Sequence, residues 1–265
     1  MRICSIASGS SGNCVYIGND DTHLLVDVGI SKKRIEAGLN TLPLSGDMLS
    51  GILITHEHSD HIQGIGVFCR KYKVPVYATA GTIDEIKNRV SLGKIQEGLL
   101  NVIKADEAFE IGSIKVEPFK VSHDAKEPVG YRLESYDKAV AIATDLGQYD
   151  DYIVSKLKNL DALLIEANHD THMLEVGAYP YPLKRRILSE RGHLSNELSG
   201  RLLCDILHKG LKNVILGHLS KDNNYAKLAY ETVKLELSLG KSSQAISHVS
   251  LKVANRDSVS EIVTV

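Results

Sequence analysis

The chain of 265 residues is long enough to bury a full core, and its 43% apolar and 24% charged residues exclude a disordered or collagen-like composition. Its formal charge of −2 excludes a surface coated throughout with cations for nucleic acid, while leaving room for a local basic patch. Apolar runs fall well short of the ~20 residues that span a bilayer, and the opening MRICSIASGSSGNCVYIG lacks the continuous apolar core of a signal peptide. The expectation is a cytoplasmic protein of one domain, 1–265, with no membrane contact. Cys4, Cys14, Cys69 and Cys204 show no CxxC spacing and read as reduced, largely buried thiols.

Three β-rich runs open the chain, at 2–7, 13–18 and 23–29, with Gly/Ser/Asn and Asn-Asp-Asp turns between them, which predicts an antiparallel meander. Ser31 caps a helix expected over 32–39, and the apolar run 51–55 reads as a buried strand ending at His56. A helix over 59–73, a strand over 74–79 and a helix over 82–90 follow. Strand patterns return at 101–104, 113–121, 130–134 and 138–144, with His123 and Asp145 each just past one. The last third alternates again: helix 152–158, strand 162–166, helix 195–209, strand 213–217, helix 223–239 and strand 248–253. Two facing mixed sheets with helices on their outer faces would bury so many strands, giving a four-layer αββα sandwich.

The chemistry concentrates in Thr55-His-Glu-His-Ser-Asp-His61. In an extended chain His56 and His58 point to one side, while Asp60 and His61 turn into the start of the next helix, so four ligands converge within one turn. Three His and one Asp at such offsets would match by chance on the order of once in a thousand sequences. A two-metal site needs about six or seven N/O ligands, and His123, Asp145 and His218 at strand ends would complete one. Both His193 and His218 lie in Gly-His-Leu-Ser. His218 is favoured as the ligand because it follows an apolar strand, which leaves His193 as a substrate contact.

The order HxHxDH, later His, later Asp, later His resembles the metallo-β-lactamase superfamily over almost the whole chain. The resemblance implies that His56, His58 and His123 hold one metal, that Asp60, His61 and His218 hold the other, and that Asp145 bridges them. Asp27 matches the family's early Asp that supports the site from behind the ligands. At finer grain MRICSIASGSSGN, THEHSDHI, VSHDA, ATDLG, EANHD, RGHLSN and LGHLS are similar to the YycJ/WalJ branch, which implies DNA exonuclease activity. Between Asp145 and His218 there is too little chain for the extra domain of the RNA-cleaving β-CASP relatives.

Imidazole and carboxylate donors without thiolate suit two divalent ions, zinc or manganese, with iron also compatible. Such a pair lowers the pKa of a shared water, and Asp60 would orient that nucleophile while ligating. His193, or alternatively His169 in EANHD, would protonate the leaving group. The loop with Ser10, Ser11 and Asn13 offers backbone N–H groups to a phosphate, and Lys184, Arg185, Arg186 and Arg191 add cations before His193. DNA is the expected substrate, with RNA or a cyclic phosphate as further phosphodiesters; protein partners are not legible. Thioester or lactam hydrolysis would leave the basic stretch idle, and a non-catalytic regulatory module would leave seven ligands unused.

Overall fold

A computed structural model describes residues 1–240 and 248–265. The strands form two seven-stranded sheets, each mixing parallel and antiparallel pairs and flanked by helices, which is the α/β sandwich class expected. By contact density the chain divides into two compact units.

The first unit comprises Met1–Lys120, Ala125–Asp137 and Asn255–Thr264. Its opening meander is β1 (Arg2–Ala7), β2 (Cys14–Gly18) and β3 (His23–Val26), paired antiparallel in that order. β4 (Gly51–Leu53), β5 (Val76–Thr79) and β6 (Leu100–Ile103) then add parallel to β3. The connecting helices are α1 (Lys32–Thr41), α2 (Ser59–Ile62), α3 (Ile65–Tyr72) and α4 (Ala80–Asn88). Ser31 caps α1 by accepting from the Arg34 N–H, as its sequence position predicts. The helix expected over 59–73 is broken into α2 and α3 where the Gly64 N–H donates to the Val28 carbonyl (2.8 Å) instead of back along the helix. The buried apolar cluster includes Ile6, Tyr16, Leu25, Ile52, Phe68 and Val76. The strands expected over 113–121 and 130–134 form as β8 (Ile114–Lys120) and β9 (Val129–Ser135), and β7 (Phe109–Ile111) joins their ladder through a turn at Gly112, φ 55°. β7 was not anticipated; nor was β14 (Val263–Thr264), which pairs with β1.

The second unit comprises Val121–Asp124 and Lys138–Ala254. β10 (Lys138–Ala143), β11 (Ala162–Glu166), β12 (Asn213–Gly217) and β13 (Ser250–Val253) run parallel in adjacent register. Near-continuous Val, Ile, Leu and Ala in β10 to β12 reflects burial on both faces, which parallel strands demand. α5 (Asp151–Lys156), α8 (Asn196–Ile206) and α9 (Ala226–Leu239) fall where the apolar period places them. Two short helices, α6 (Thr171–Val176) and α7 (Tyr181–Ile187), occupy a stretch with no such period.

Candidate metal centre

In the first unit Asp27 follows β3 in the left-handed region at φ 60°, and its N–H donates to the Leu53 carbonyl (2.8 Å). That turn aims the carboxylate at the chain leaving β4: Oδ1 accepts from the Thr55 N–H (2.9 Å), and Oδ2 from the Thr55 hydroxyl (2.9 Å) and His61 Nδ1 (2.7 Å). With the Thr55 proton committed to Asp27, Thr55 Oγ1 is left to accept from His56 Nδ1 (3.0 Å). His58 precedes α2 as its cap residue, and Asp60 and His61 lie in the first turn. Asn13 N–H donates to the Asp60 carbonyl (2.7 Å), and a Cβ on Gly29 would sit 1.6 Å from that oxygen, so only glycine admits the approach. The His56 ring stands 4.6 Å from that of His58 and 4.1 Å from that of His61. Glu57 faces the other way, accepting from the Lys126 N–H (2.8 Å).

In the second unit three neighbouring parallel strands deliver their C-terminal ends to one place. Asp145 follows β10 at φ 59°, Glu166 is the last residue of β11, and His218 follows β12 at φ 54°. Left-handed backbone at a non-glycine costs about 1–2 kcal/mol and persists where surrounding contacts over-determine it. Asp145 Oδ1 lies 3.6 Å from both His123 Nε2 and His218 Nε2. Ligand atoms of Asp145, Glu166, His193 and His218 lie within 4.8 Å of one another. Glu166 anchors the group: Oε1 meets His193 Nδ1 (2.7 Å) and His218 Nδ1 (2.9 Å), and Oε2 accepts from the N–H groups of Leu146 (2.9 Å) and Leu194 (3.2 Å). Burial alone would raise the Glu166 pKa, but the two histidines hold it well below the usual carboxylate range. Burial lowers the pKa of His123, against the pull of Asp145.

The donor set fits metal ions. Nδ1 of His56, His61, His123 and His218 faces an oxygen of Thr55, Asp27, Gly192 (3.0 Å) and Glu166 respectively. An imidazole that donates through Nδ1 presents an unprotonated Nε2, the tautomer a divalent ion requires.

The remaining residues singled out in the sequence have distinct surroundings. Asn13 closes its own loop, with Oδ1 accepting from the Gly9 N–H (2.9 Å) and Nδ2 beside His61 Nε2 (3.1 Å), while Ser10 and Ser11 stand exposed at the tip. His169 is buried, its ring nitrogens make no hydrogen bond among the described residues, and burial pushes its pKa down to about 4. Arg186 pairs with Asp124, Arg191 donates to the His123 carbonyl (3.2 Å), and Arg185 is exposed on α7. Sequence reasoning gave no role to Thr55, Glu166 or Asn168, whose Nδ2 donates to the His218 carbonyl (2.9 Å). The signal for Glu166 was a carboxylate closing an otherwise apolar strand.

A family model described as a β-lactamase superfamily domain matches residues 22–218. The chain is 42% identical over 233 residues to a Bacillus anthracis protein named exodeoxyribonuclease YycJ, covering 88% of each. It is also 42% identical over 232 residues to Streptococcus pneumoniae exodeoxyribonuclease WalJ, covering 88% of this chain and 86% of that one. Among solved structures, the metallo-β-lactamase fold protein YhfI from Bacillus subtilis superposes with a TM-score of 0.70 at 17% identity, covering 98% of this chain and 99% of that one.

Proposed function

The chain belongs to the β-lactamase superfamily, and from that premise we propose that it is a two-metal phosphodiesterase acting on DNA as an exonuclease. The 42% identity over 88% of the chain to two proteins named exodeoxyribonuclease is the observation that carries the substrate. All 265 residues act as one hydrolase domain with no β-CASP insertion. The ligand order implied by the family gives His56, His58 and His123 to one ion, Asp60, His61 and His218 to the other, and Asp145 to both. The ions, zinc or manganese, would supply a water of lowered pKa as nucleophile and offset charge on the phosphate oxygens.

The chain's own groups do the rest. Asp27 and Thr55 fix the tautomers of His61 and His56, while Glu166 fixes that of His218. Asp60 orients the attacking oxygen. His193, with Nδ1 on the Glu166 carboxylate, is the proton donor to the departing oxygen through Nε2. His169, pushed down to about 4, is neutral at physiological pH and does not supply that proton. As substrate contacts, Ser10, Ser11 and Asn13 would offer the loop to backbone phosphates, and Arg185 and Arg186 their cations.

The test uses purified protein and Asp60→Ala on end-labelled single- and double-stranded DNA and RNA and on a cyclic phosphodiester, with zinc, manganese or chelator. Metal-dependent mononucleotide release from DNA, lost by at least ~100-fold in Asp60→Ala, is expected. A cyclic phosphodiester hydrolysed while DNA stays intact would replace the substrate, and full activity in Asp60→Ala would overturn the mechanism.

A further inference from the structure

The stretch between Glu166 and His193 carries features that neither ligand geometry nor the proton donor uses. It holds Tyr179, Tyr181, Lys184, Arg185, Arg186 and Arg191 in a chain whose net charge is −2. Its C-terminal end is fixed to the reacting groups: His193 N–H donates to the Ile187 carbonyl (3.0 Å), and the Ser122 hydroxyl to the Glu190 carbonyl (2.7 Å). Gly192 lies so close to the end of α7 that a Cβ would sit 2.1 Å from the Ile187 carbonyl. Ile187 is buried and Lys184 Nζ holds the Glu175 carbonyl (2.7 Å), so α7 is held in place rather than loosely tethered.

From this support Tyr181 projects with 72% of its surface exposed. Its side chain has one interaction among the described residues, the Arg185 guanidinium 6.0 Å from the ring centroid. Isolated exposed apolar groups are ordinary on soluble proteins. Here the aromatic face sits beside a cation, on a helix anchored to His193 whose last turn carries Lys184, Arg185 and Arg186. An aromatic face that stacks a base beside cations that meet phosphates is the combination that binds single-stranded nucleic acid, whereas a duplex keeps its bases stacked on one another.

We propose that Tyr181, flanked by Arg185, is a base-stacking platform that holds a single DNA strand on its way to His193. The proposal rests on the exonuclease reading above. A helix rises about 1.5 Å per residue, so Tyr181 lies roughly 9 Å along α7 from Ile187, the residue bonded to His193. A strand kept stacked at the duplex rise of about 3.4 Å per nucleotide would cover that length in two or three nucleotides. Mono- and dinucleotide substrates therefore do not reach Tyr181, and longer strands do.

The test measures kcat/KM for single-stranded DNA two and eight nucleotides long with wild-type, Tyr181→Ala and Tyr181→Phe proteins. Binding of the octamer to the same substitutions in Asp60→Ala protein is followed by fluorescence anisotropy. Tyr181→Ala should lower the octamer-to-dimer ratio of kcat/KM about tenfold and weaken octamer binding by a similar factor, through KM more than kcat. Tyr181→Phe should restore both, and an octamer abasic at its third nucleotide should behave toward wild-type protein as the normal octamer does toward Tyr181→Ala. An unchanged ratio in Tyr181→Ala, an equal loss on both lengths, or failure of Tyr181→Phe to restore binding would overturn the platform while leaving exonuclease activity standing. Wild-type protein that hydrolyses no DNA would overturn the reading beneath it instead.

Discussion

At the scale of single residues, the imidazoles are prepared for metal by what stands behind them. Asp27 accepts from His61 and from both donors of Thr55, so Asp27→Asn would remove the charge that fixes the His61 tautomer. Metal affinity should fall about 10- to 100-fold with the fold retained, read by competition titration against a chromogenic chelator. Glu166 makes a second, pH-dependent prediction. Its folded pKa lies below the unfolded value of about 4.3, so the carboxylate stabilises the fold above that pH, and the contribution is lost as pH falls through the folded value. Metal-free wild-type protein should lose denaturant resistance steeply below pH ~4, and Glu166→Gln should start less stable at neutral pH and show a shallower acid slope. The sequence revealed His56, His58, Asp60 and His61 because four polar donors in six positions are rare. Glu166 stayed silent because one carboxylate at a strand end is common, and its importance lies in partners 27 and 52 residues away.

At the scale of elements, the site is built where strands stop. Asp27 and His218 directly after β3 and β12, and Asp145 two residues past β10, all adopt left-handed backbone, which swings the side chain off the sheet. The strand expected over 23–29 therefore ends at Val26. Hydrophobic pattern located β10, β11 and β12 to within a residue, since a continuous apolar run is visible in sequence, yet it could not show a reversal of φ at the next position. α6 and α7 escaped notice for a related reason: at six and seven residues they are too short to display an amphipathic period. Gly29 tests the packing of the metal-binding turn. Gly29→Ala places a methyl against the Asp60 carbonyl and should lower stability by roughly 2 kcal/mol or more, read as a drop in Tm, together with loss of bound metal.

At the scale of the whole chain, both sheets carry the proposed ligands at strand ends while their faces carry apolar core. Cys4, Cys14 and Cys69 belong to that core, and Cys204 is half-buried: burial pushes the thiols of Cys4 and Cys69 up to about 11 and about 12, and raises Cys14 further. Alkylation of the native protein should modify Cys204 first and the other three only in denaturant, as counted by mass spectrometry. The central claim is that hydrolysis needs two ions per chain held by the histidine and aspartate sets. Chelator-stripped protein titrated with zinc or manganese, with bound metal and DNA hydrolysis followed together, tests it most directly. Activity that rises to a plateau at two equivalents, and fails to appear in Asp145→Ala, is the predicted result; a plateau at one equivalent, or full activity in the stripped protein, would contradict it.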